Sequence, residues 1–334
     1  MKNNIAGIKI LGVWMMMLIL TACAPKQSTI ISSQVLNVVG ERPPLDADLA
    51  MLAPDGLQGV SWVNLQEIRT SPIWPTLKFL LNSYYSESLL SKDFVLSTLN
   101  KADEVFTASG HRSPDEPDGF VALLKGDWDT DVILKQLVDN KRLRARTIGQ
   151  KKLKIRNIDV FAVSERTLAI VSDHLEETVT LCMARKTKTL RDTPVLQKIE
   201  MPKKAGAASL YVRGDGLRKN GYLEYLPPAY GRLSQKVQHA SARLHFGEGI
   251  SFRANAIMDD AENATEAASR VNQELKSISS NVLIAMLGVK SLIKKIKIDA
   301  KGNRLKTSVG FSLNDVDKLK QLIEPIMQIR NMVN

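Results

Sequence analysis

Apolar and polar residues alternate along several stretches of this chain in the period-two pattern of half-buried strands. The clearest stretch spans residues 240–258, where apolar residues alternate on both sides of Gly247-Glu248-Gly249. A similar pattern occupies 296–313, and two largely apolar runs, 160–163 and 167–171, lie on both sides of a polar turn at 164–166. Two alternating runs joined by a short turn are typical of an antiparallel hairpin. The pattern therefore predicts three hairpins.

Apolar residues recur at helical spacing between these hairpins. A polar residue at Asp129 or Thr130 predicts the start of a helix that continues through 138, because such side chains cap free backbone amides. A longer predicted helix presents Ala264, Ala267 and Ala268 along one face.

Two halves of the chain show the same order of predicted elements: strand, helix, hairpin, helical segment, hairpin and helix. The offset between like elements is roughly 130 to 150 residues. Hairpins with one apolar face predict an α+β fold, with antiparallel sheets that carry helices on one face and two similar αβ units in tandem. We place the first unit at 45–200 and the second at 201–334. The order resembles that of periplasmic lipoproteins of unknown function that repeat an αβ unit.

The first apolar run has the layout of a leader segment. Lys2 and Lys9 give a positive start without an acid, and the apolar run at 10–20 is eleven residues long. Such a run fits a signal peptide and is shorter than the roughly 20 residues that span a bilayer. The small pair Thr21-Ala22 follows, and then Cys23. An ordinary secretory signal with a chance cysteine, or an uncleaved anchor, is the alternative.

Leu20-Thr21-Ala22-Cys23 resembles the lipobox of bacterial lipoproteins, after which the signal peptide is cut and the new N-terminal cysteine is lipidated. The resemblance implies a signal peptide at 1–22 and lipidation of Cys23, which makes the membrane a partner. In proteins sorted this way, aspartate after the cysteine favours the inner membrane. Ala24 occupies that position, so the resemblance favours the outer membrane, facing the periplasm. The remainder of 23–44 is then a flexible tether, whose coil reaches about 25 Å.

The charge of the chain is consistent with anionic neighbours. The formal charge is +11, and the leader takes Lys2 and Lys9 with it, which leaves +9 on the mature chain. Anionic lipid, lipopolysaccharide and acidic envelope proteins are therefore the expected partners, whereas the compartment makes nucleic acid unlikely. Once Cys23 is lipidated, Cys182 is the one remaining cysteine and no internal disulfide can form. Its position on a helical apolar stripe predicts a buried thiol.

Motifs for catalysis or cofactor binding are missing from the sequence. None of the four histidines has a second ligand at metal spacing: His111, His174, His239 and His245. Gly214-Asp215-Gly216 lacks the third glycine of a dinucleotide-binding loop. The acidic loop at 111–119 lacks the register of a calcium hand and is predicted to be a solvated turn. We therefore predict no metal, no cofactor and no catalytic residue.

One stretch is strongly basic. Residues 141–156 include eight Lys or Arg residues and no acid. Basic and apolar residues alternate on both sides of Gly149, so a hairpin would gather the basic side chains on one face. The predicted anionic-surface site consists of Arg142, Arg144, Arg146, Lys152, Lys154 and Arg156. The alternative is a solvated outer face whose charges prevent aggregation.

These observations favour an envelope lipoprotein that acts without catalysis, as a scaffold or binding module that contacts anionic head groups or polymers. The alternative is a hydrolase of envelope polymers whose site is assembled from scattered residues. Carboxylates with raised pKa values lining a cleft would favour the hydrolase, and an accessible basic surface would favour binding.

Replacement of Cys23 by alanine tests the anchor. We expect Cys23→Ala to abolish labelling by palmitate and to leave the preprotein uncut, because lipobox cleavage depends on the modified cysteine. Gel mobility and membrane fractionation measure both effects. Maturation to the wild-type mass, with unchanged fractionation, would show that the lipobox prediction is wrong.

Overall fold

The computed structural model describes residues 49–78, 98, 100–111, 115–140, 143–149, 151–192, 207–215, 228–280, 290–318 and 320–321. The predicted signal peptide, Cys23, the tether at 24–44 and Arg142 lie outside these residues. Within the described ranges, no helix is both long enough and apolar enough to cross a membrane. Helices and antiparallel strands both occur, which confirms the α+β class.

The chain forms two compact units, each made of more than one range of residues. One boundary between them lies between residues 65 and 66, within the short helix α1, Leu65–Thr70. The amino-terminal unit takes the described residues of 49–65 and 98–192. The carboxy-terminal unit takes the described residues of 66–78 and 207–321.

The described residues of the amino-terminal unit form seven strands. They are β1 (Gly59–Asn64), β2 (Ala102–Gly110), β3 (Gly119–Gly126), β4 (Arg146–Gly149), β5 (Lys152–Ile155), β6 (Ile158–Ser164) and β7 (Thr167–Ser172). Their order is β1-β2-β3-β7-β6-β5-β4, and each neighbouring pair is antiparallel. β4 is the last strand of this order, so its outer edge is an end of the sheet.

Helix α2 (Thr130–Asp139) begins as the sequence predicts. The Asp129 carboxylate accepts a hydrogen bond from the Asp131 amide at 2.8 Å, and the Thr130 hydroxyl donates to the Ser164 carbonyl. The apolar side of α2 packs against strand residues such as Leu153 and Val160. These contacts fix α2 on one face of the unit.

Helix α3 (Glu176–Met183) starts on the opposite face. Lys152 alternates with Leu153 along β5, and its ammonium lies 3.0 Å from the Glu176 carboxylate. The amino-terminal unit therefore carries helices on both faces, where we expected one. The central strands explain this arrangement, because residues of both alternating rows are apolar and buried, as the adjacent residues Leu168 and Ala169 of β7 are. Cys182 on α3 is buried, as predicted.

The described residues of the carboxy-terminal unit include five strands and helices α4 to α6. They are β8 (Ala208–Arg213), α4 (Pro228–Gln235), β9 (Val237–Phe246), β10 (Gly249–Met258), α5 (Ala261–Ser280), α6 (Lys290–Ile293), β11 (Lys297–Lys301) and β12 (Arg304–Ser312). The strand order is β8-β9-β10-β12-β11, again antiparallel throughout. The predicted hairpin at 240–258 is confirmed, since Ile250 lies opposite Phe246.

Small side chains let α5 approach the sheet closely. Ala264 and Ala267 are buried against Met258, and Ala300 and Leu305 pack around them. The apolar row of the alternating strands therefore faces α5. The other row, which the sequence fills with polar residues, faces away from this helix.

The two units repeat one strand order. β1-β2-β3-β7-β6 corresponds to β8-β9-β10-β12-β11, and α2 and α5 each follow the third strand. The hairpin β4-β5 is an addition to this order in the amino-terminal unit. At the corresponding place in the carboxy-terminal unit, the described residues 290–293 form α6.

Asp315 joins the end of β12 to the helical turn that begins at residue 313. The Ser312 hydroxyl and amide donate to one carboxylate oxygen of Asp315 at 2.7 and 2.8 Å, and the Lys295 ammonium donates to the same oxygen. The Asp315 amide donates back to the Ser312 hydroxyl, which completes a capping box. The hydrogen bond from Lys295, followed by those from Ser312, lowers the pKa of Asp315 to about 2.

Replacement of Asp315 tests this junction. Asp315→Asn should lower the free energy of unfolding at neutral pH by about 1 kcal/mol, because charged hydrogen bonds give way to neutral ones. A lowered pKa contributes stability above the unfolded value, so the difference from wild type should fade as the pH falls from about 4 towards about 2. Urea denaturation at several pH values measures it. Asp317→Asn, at an exposed neighbour, is the matched control, and an equal loss in both variants would contradict the assignment.

Candidate functional site

The predicted basic hairpin exists, and its strands are shorter than the sequence indicates. We use basic hairpin for residues 143–149 and 151–156. Arg146 lies opposite Lys154, and Thr147 lies opposite Leu153. Because opposed residues share a face, Arg146 and Lys154 point to one side and Leu153 to the other, where it packs in the α2 core.

Two members of the predicted site lie outside the strands. Arg144 precedes β4 with a φ of 50°, and Arg156 lies in the turn between β5 and β6 with a φ of 58°. Both values are in the left-handed region, which interrupts a strand. Of the arginines expected in this row, Arg146 lies in β4, Arg144 lies outside it, and Arg142 is outside the described residues.

Acidic residues from elsewhere in the unit neutralise the lysines of the basic hairpin. Lys152 pairs with Glu176 at 3.0 Å, and Lys154 lies 3.6 Å from Asp173. Lys151, beside them, pairs with Asp131 of α2 at 2.6 Å. The basic hairpin contains no acidic residue, but acidic residues from other elements of the unit lie close to its lysines.

Asp159 is a buried acid directly opposite Lys154 across β5 and β6. Its side chain is 3% exposed, and its Oδ1 has no hydrogen-bond partner among the residues that the structure describes. Burial raises the pKa of Asp159, and the positive charges of Lys152 and Lys154 oppose that rise. The carboxyl group further offsets the charge of the two lysines.

Three arginines of the basic hairpin stay accessible. Arg144, Arg146 and Arg156 are exposed, and none of them forms an ion pair with another described residue. They are the part of the predicted site that an external anion can reach.

A second basic surface, which the sequence analysis missed, lies on the carboxy-terminal unit. We name it the open sheet face: the row of strand residues that faces away from α5. Strand register places seven Arg and Lys residues on it: Arg213, Arg243, Arg253, Lys297, Lys301, Arg304 and Lys306. The same register places one acidic residue, Asp299, on this face.

Cations of the open sheet face meet water. Arg213, Arg253, Lys297, Lys301, Arg304 and Lys306 are exposed. Near its rim, Arg213 pairs with Asp215 at 2.7 Å, and His245 lies 3.4 Å from Glu67. Arg253 lies directly opposite Arg243, an arrangement of like charges that destabilises a sheet.

A signal for this face was present in the sequence. The apolar rows of β9, β10 and β12 alternate with polar positions, among them Arg243, Arg253 and Lys306. Each strand contributes only one or two cations, so the charge becomes visible when the register of all five strands is known.

His111 is buried, although the loop that it begins was expected to be solvated. Its Nδ1 lies 3.0 Å from Asp118 Oδ1, and the amide nitrogen of Gln58 lies 2.8 Å from its Nε2. Both ring nitrogens are occupied by neighbours of the same unit, which is a structural arrangement. Asp115 and Glu116 of the loop are exposed, as a solvated turn requires. Among the described residues, no group of three or more His, Cys, Asp or Glu residues has the geometry to hold a metal ion.

The repeated antiparallel order with added helices defines an α+β fold of two similar units. The same fold occurs in TP0453, a Treponema lipoprotein. TP0453 in crystal form III matches this chain with a TM-score of 0.54 and 11% sequence identity. The match covers 84% of this chain and 99% of TP0453. Crystal forms I and IV match with TM-scores of 0.50. No protein-family model matches the sequence, and no curated protein matches it.

Asp159 gives a prediction about pH. The folded carboxyl has a raised pKa, so it ionises at higher pH than the unfolded group, whose pKa is near 3.8. The stability of wild type relative to Asp159→Asn should therefore fall as the pH rises through the window between the two values. Urea denaturation across that range measures it, with Asp115→Asn at an exposed loop position as the control. A relative stability that rises with pH would mean that Lys152 and Lys154 outweigh burial.

Proposed function

We propose that this protein is an envelope lipoprotein, anchored through Cys23 on the periplasmic side of the outer membrane, that acts without catalysis as a scaffold or binding module. Two independent observations support the proposal. The lipobox-like sequence ends a leader of suitable length and charge. The folded part has the fold of TP0453, which is itself a lipoprotein.

Binding is favoured over hydrolysis by the distribution of charged groups. A hydrolase of envelope polymers would need carboxylates held at raised pKa values around a substrate. Among the described carboxyl groups with a shifted pKa, Asp159 alone is raised, while Asp192 and Asp315 are lowered. Asp159 lies buried beside two lysines, an arrangement that compensates charge.

The observation that carries the binding proposal is the basic hairpin. It is added to the strand order that the described strands of the other unit share, and it exposes Arg144, Arg146 and Arg156. A structural role does not require three accessible arginines. In the proposed function they contact anionic lipid, lipopolysaccharide or an acidic envelope protein.

The tether sets the distance over which this contact operates. A coil of about 25 Å keeps the folded units within reach of the membrane that holds Cys23. Each arginine near an anionic bilayer contributes roughly 1 kcal/mol, and the gain fades as salt shortens the Debye length. The lipid anchor holds the protein at the membrane permanently, and the arginines add a second contact whose strength depends on salt.

Vesicle binding tests the role of the basic hairpin. The chain from residue 24 onward is mixed with vesicles of phosphatidylglycerol and phosphatidylcholine at ionic strengths of about 0.01 M and about 1 M. Changing Arg144, Arg146 and Arg156 to glutamine should weaken low-salt binding by at least about tenfold, because about 3 kcal/mol of attraction is removed. Sedimentation of the vesicles measures the bound fraction.

The matched control removes three positive charges from exposed positions elsewhere in the same unit, by changing Lys101, Lys135 and Lys188 to glutamine. A smaller loss in this variant shows that position matters as well as net charge. Equal losses in both variants, or wild-type protein that ignores anionic vesicles at low salt, would remove the basic hairpin from the proposal.

A further inference from the structure

Cations on the open sheet face are spread over a plane. Arg253 lies on β10, Arg304 and Lys306 on β12, and Lys297 and Lys301 on β11. Neighbouring strands lie about 4.8 Å apart, and alternate residues of one strand lie about 7 Å apart. These five side chains therefore rise from a patch of backbone about 10 Å by 14 Å. None of them forms an ion pair with another described residue.

Solubility and edge protection do not account for this face. Lysines on an edge strand such as β11 discourage sheet-to-sheet pairing. Arg243 and Arg253, however, lie on β9 and β10, each of which has a partner strand on both sides. The register places one acid, Asp299, among seven cations on this face, whereas a surface that only needs to stay soluble mixes the two signs.

The chemistry of the face indicates what kind of anion suits it. Protein interfaces bury an apolar centre with aromatic anchors, whereas this patch of three strands contains, besides its cations, Asn255, Asp299 and Ser308 and a single apolar residue, Ile257. A linear polyanion would need a single file of cations, and these cations lie in several files. Lysine ammonium groups are strongly hydrated and suit a wet contact. A flat, hydrated array of phosphates satisfies all three conditions.

We infer that the open sheet face docks on the head groups of an anionic lipid bilayer. Arg253, Arg304 and Lys306 make the central contacts, with Lys297 and Lys301 beside them. Asn255 and Ser308 donate hydrogen bonds to phosphate oxygens between the cations. Arg213 contributes less, because Asp215 already occupies it. The inference rests on the proposed anchoring for its location, and it assigns a surface distinct from the basic hairpin.

Lysine acylation of the intact lipoprotein tests the docking. The protein is reconstituted into vesicles of phosphatidylglycerol with phosphatidylcholine, or of phosphatidylcholine alone, and treated with a water-soluble acylating reagent. Mass spectrometry follows each lysine. On anionic vesicles at low salt, Lys297, Lys301 and Lys306 should react about fivefold more slowly, the factor expected for one cation held near the surface. Exposed Lys135 and Lys188 are internal references that should not change.

Two variants locate the contact. Arg253→Gln with Arg304→Gln removes central cations and leaves the reporter lysines in place, so the protection should disappear. Arg185→Gln with Arg232→Gln makes the same change of charge at exposed positions outside both basic surfaces and should leave the protection intact. High salt, at about 1 M, should also abolish it. Thermal melting confirms that both variants remain folded.

The other outcomes overturn the inference. Reporter lysines that react equally on both kinds of vesicle show that the face does not dock on lipid. Protection that survives the Arg253 and Arg304 changes places the contact elsewhere. Protection by soluble polyglutamate, without any by anionic vesicles, assigns the face to an acidic protein. Failure of the protein to enter vesicles at all contradicts lipidation, and the acylation is then repeated with unanchored protein added to the same vesicles, which still decides the docking.

Discussion

Antiparallel register decides which side chains of this protein are packed and which meet water. Opposed residues share a face, so a single row of apolar residues on each strand produces one continuous apolar face. In the carboxy-terminal unit this face packs against α5, where Ala264 and Ala267 allow close approach. The intervening positions are then fixed on the opposite face, and there the chain carries arginine and lysine. Both the core and the basic surface follow from this alternation.

The two basic surfaces differ in how far the protein neutralises them. Lys152 and Lys154 of the basic hairpin meet Glu176 and Asp173, and buried Asp159 lies beside them. This part of the hairpin is held by attraction within its own unit. The five central and edge cations of the open sheet face have no such partners among the described residues. The open sheet face has one acid, Asp299, among its seven cations on the described strands, so it keeps more of its positive charge for an external anion.

Local patterns in the sequence predicted the elements and missed the pairings between distant ones. The hairpin that joins Phe246 to Ile250 and the cap at Asp129 depend on neighbouring residues, and both are confirmed. The partners of Lys152 and Lys154 lie beyond two further strands, so no periodicity in 141–156 reveals them. Arg156 was predicted to be a strand residue because the turn that contains it has no glycine to mark its left-handed backbone. The open sheet face required the register of strands spread from 208 to 312, which single-strand patterns do not contain.

We propose that charged contacts hold the anchored protein against an anionic membrane. Neutron reflectometry on a supported anionic bilayer carrying the lipidated protein tests it most directly, because it measures the water layer between head groups and protein. We expect protein in contact with the head groups at low salt, and at high salt a water gap of about 25 Å, the average reach of a flexible tether of this length. The same profile at both salt concentrations would contradict it.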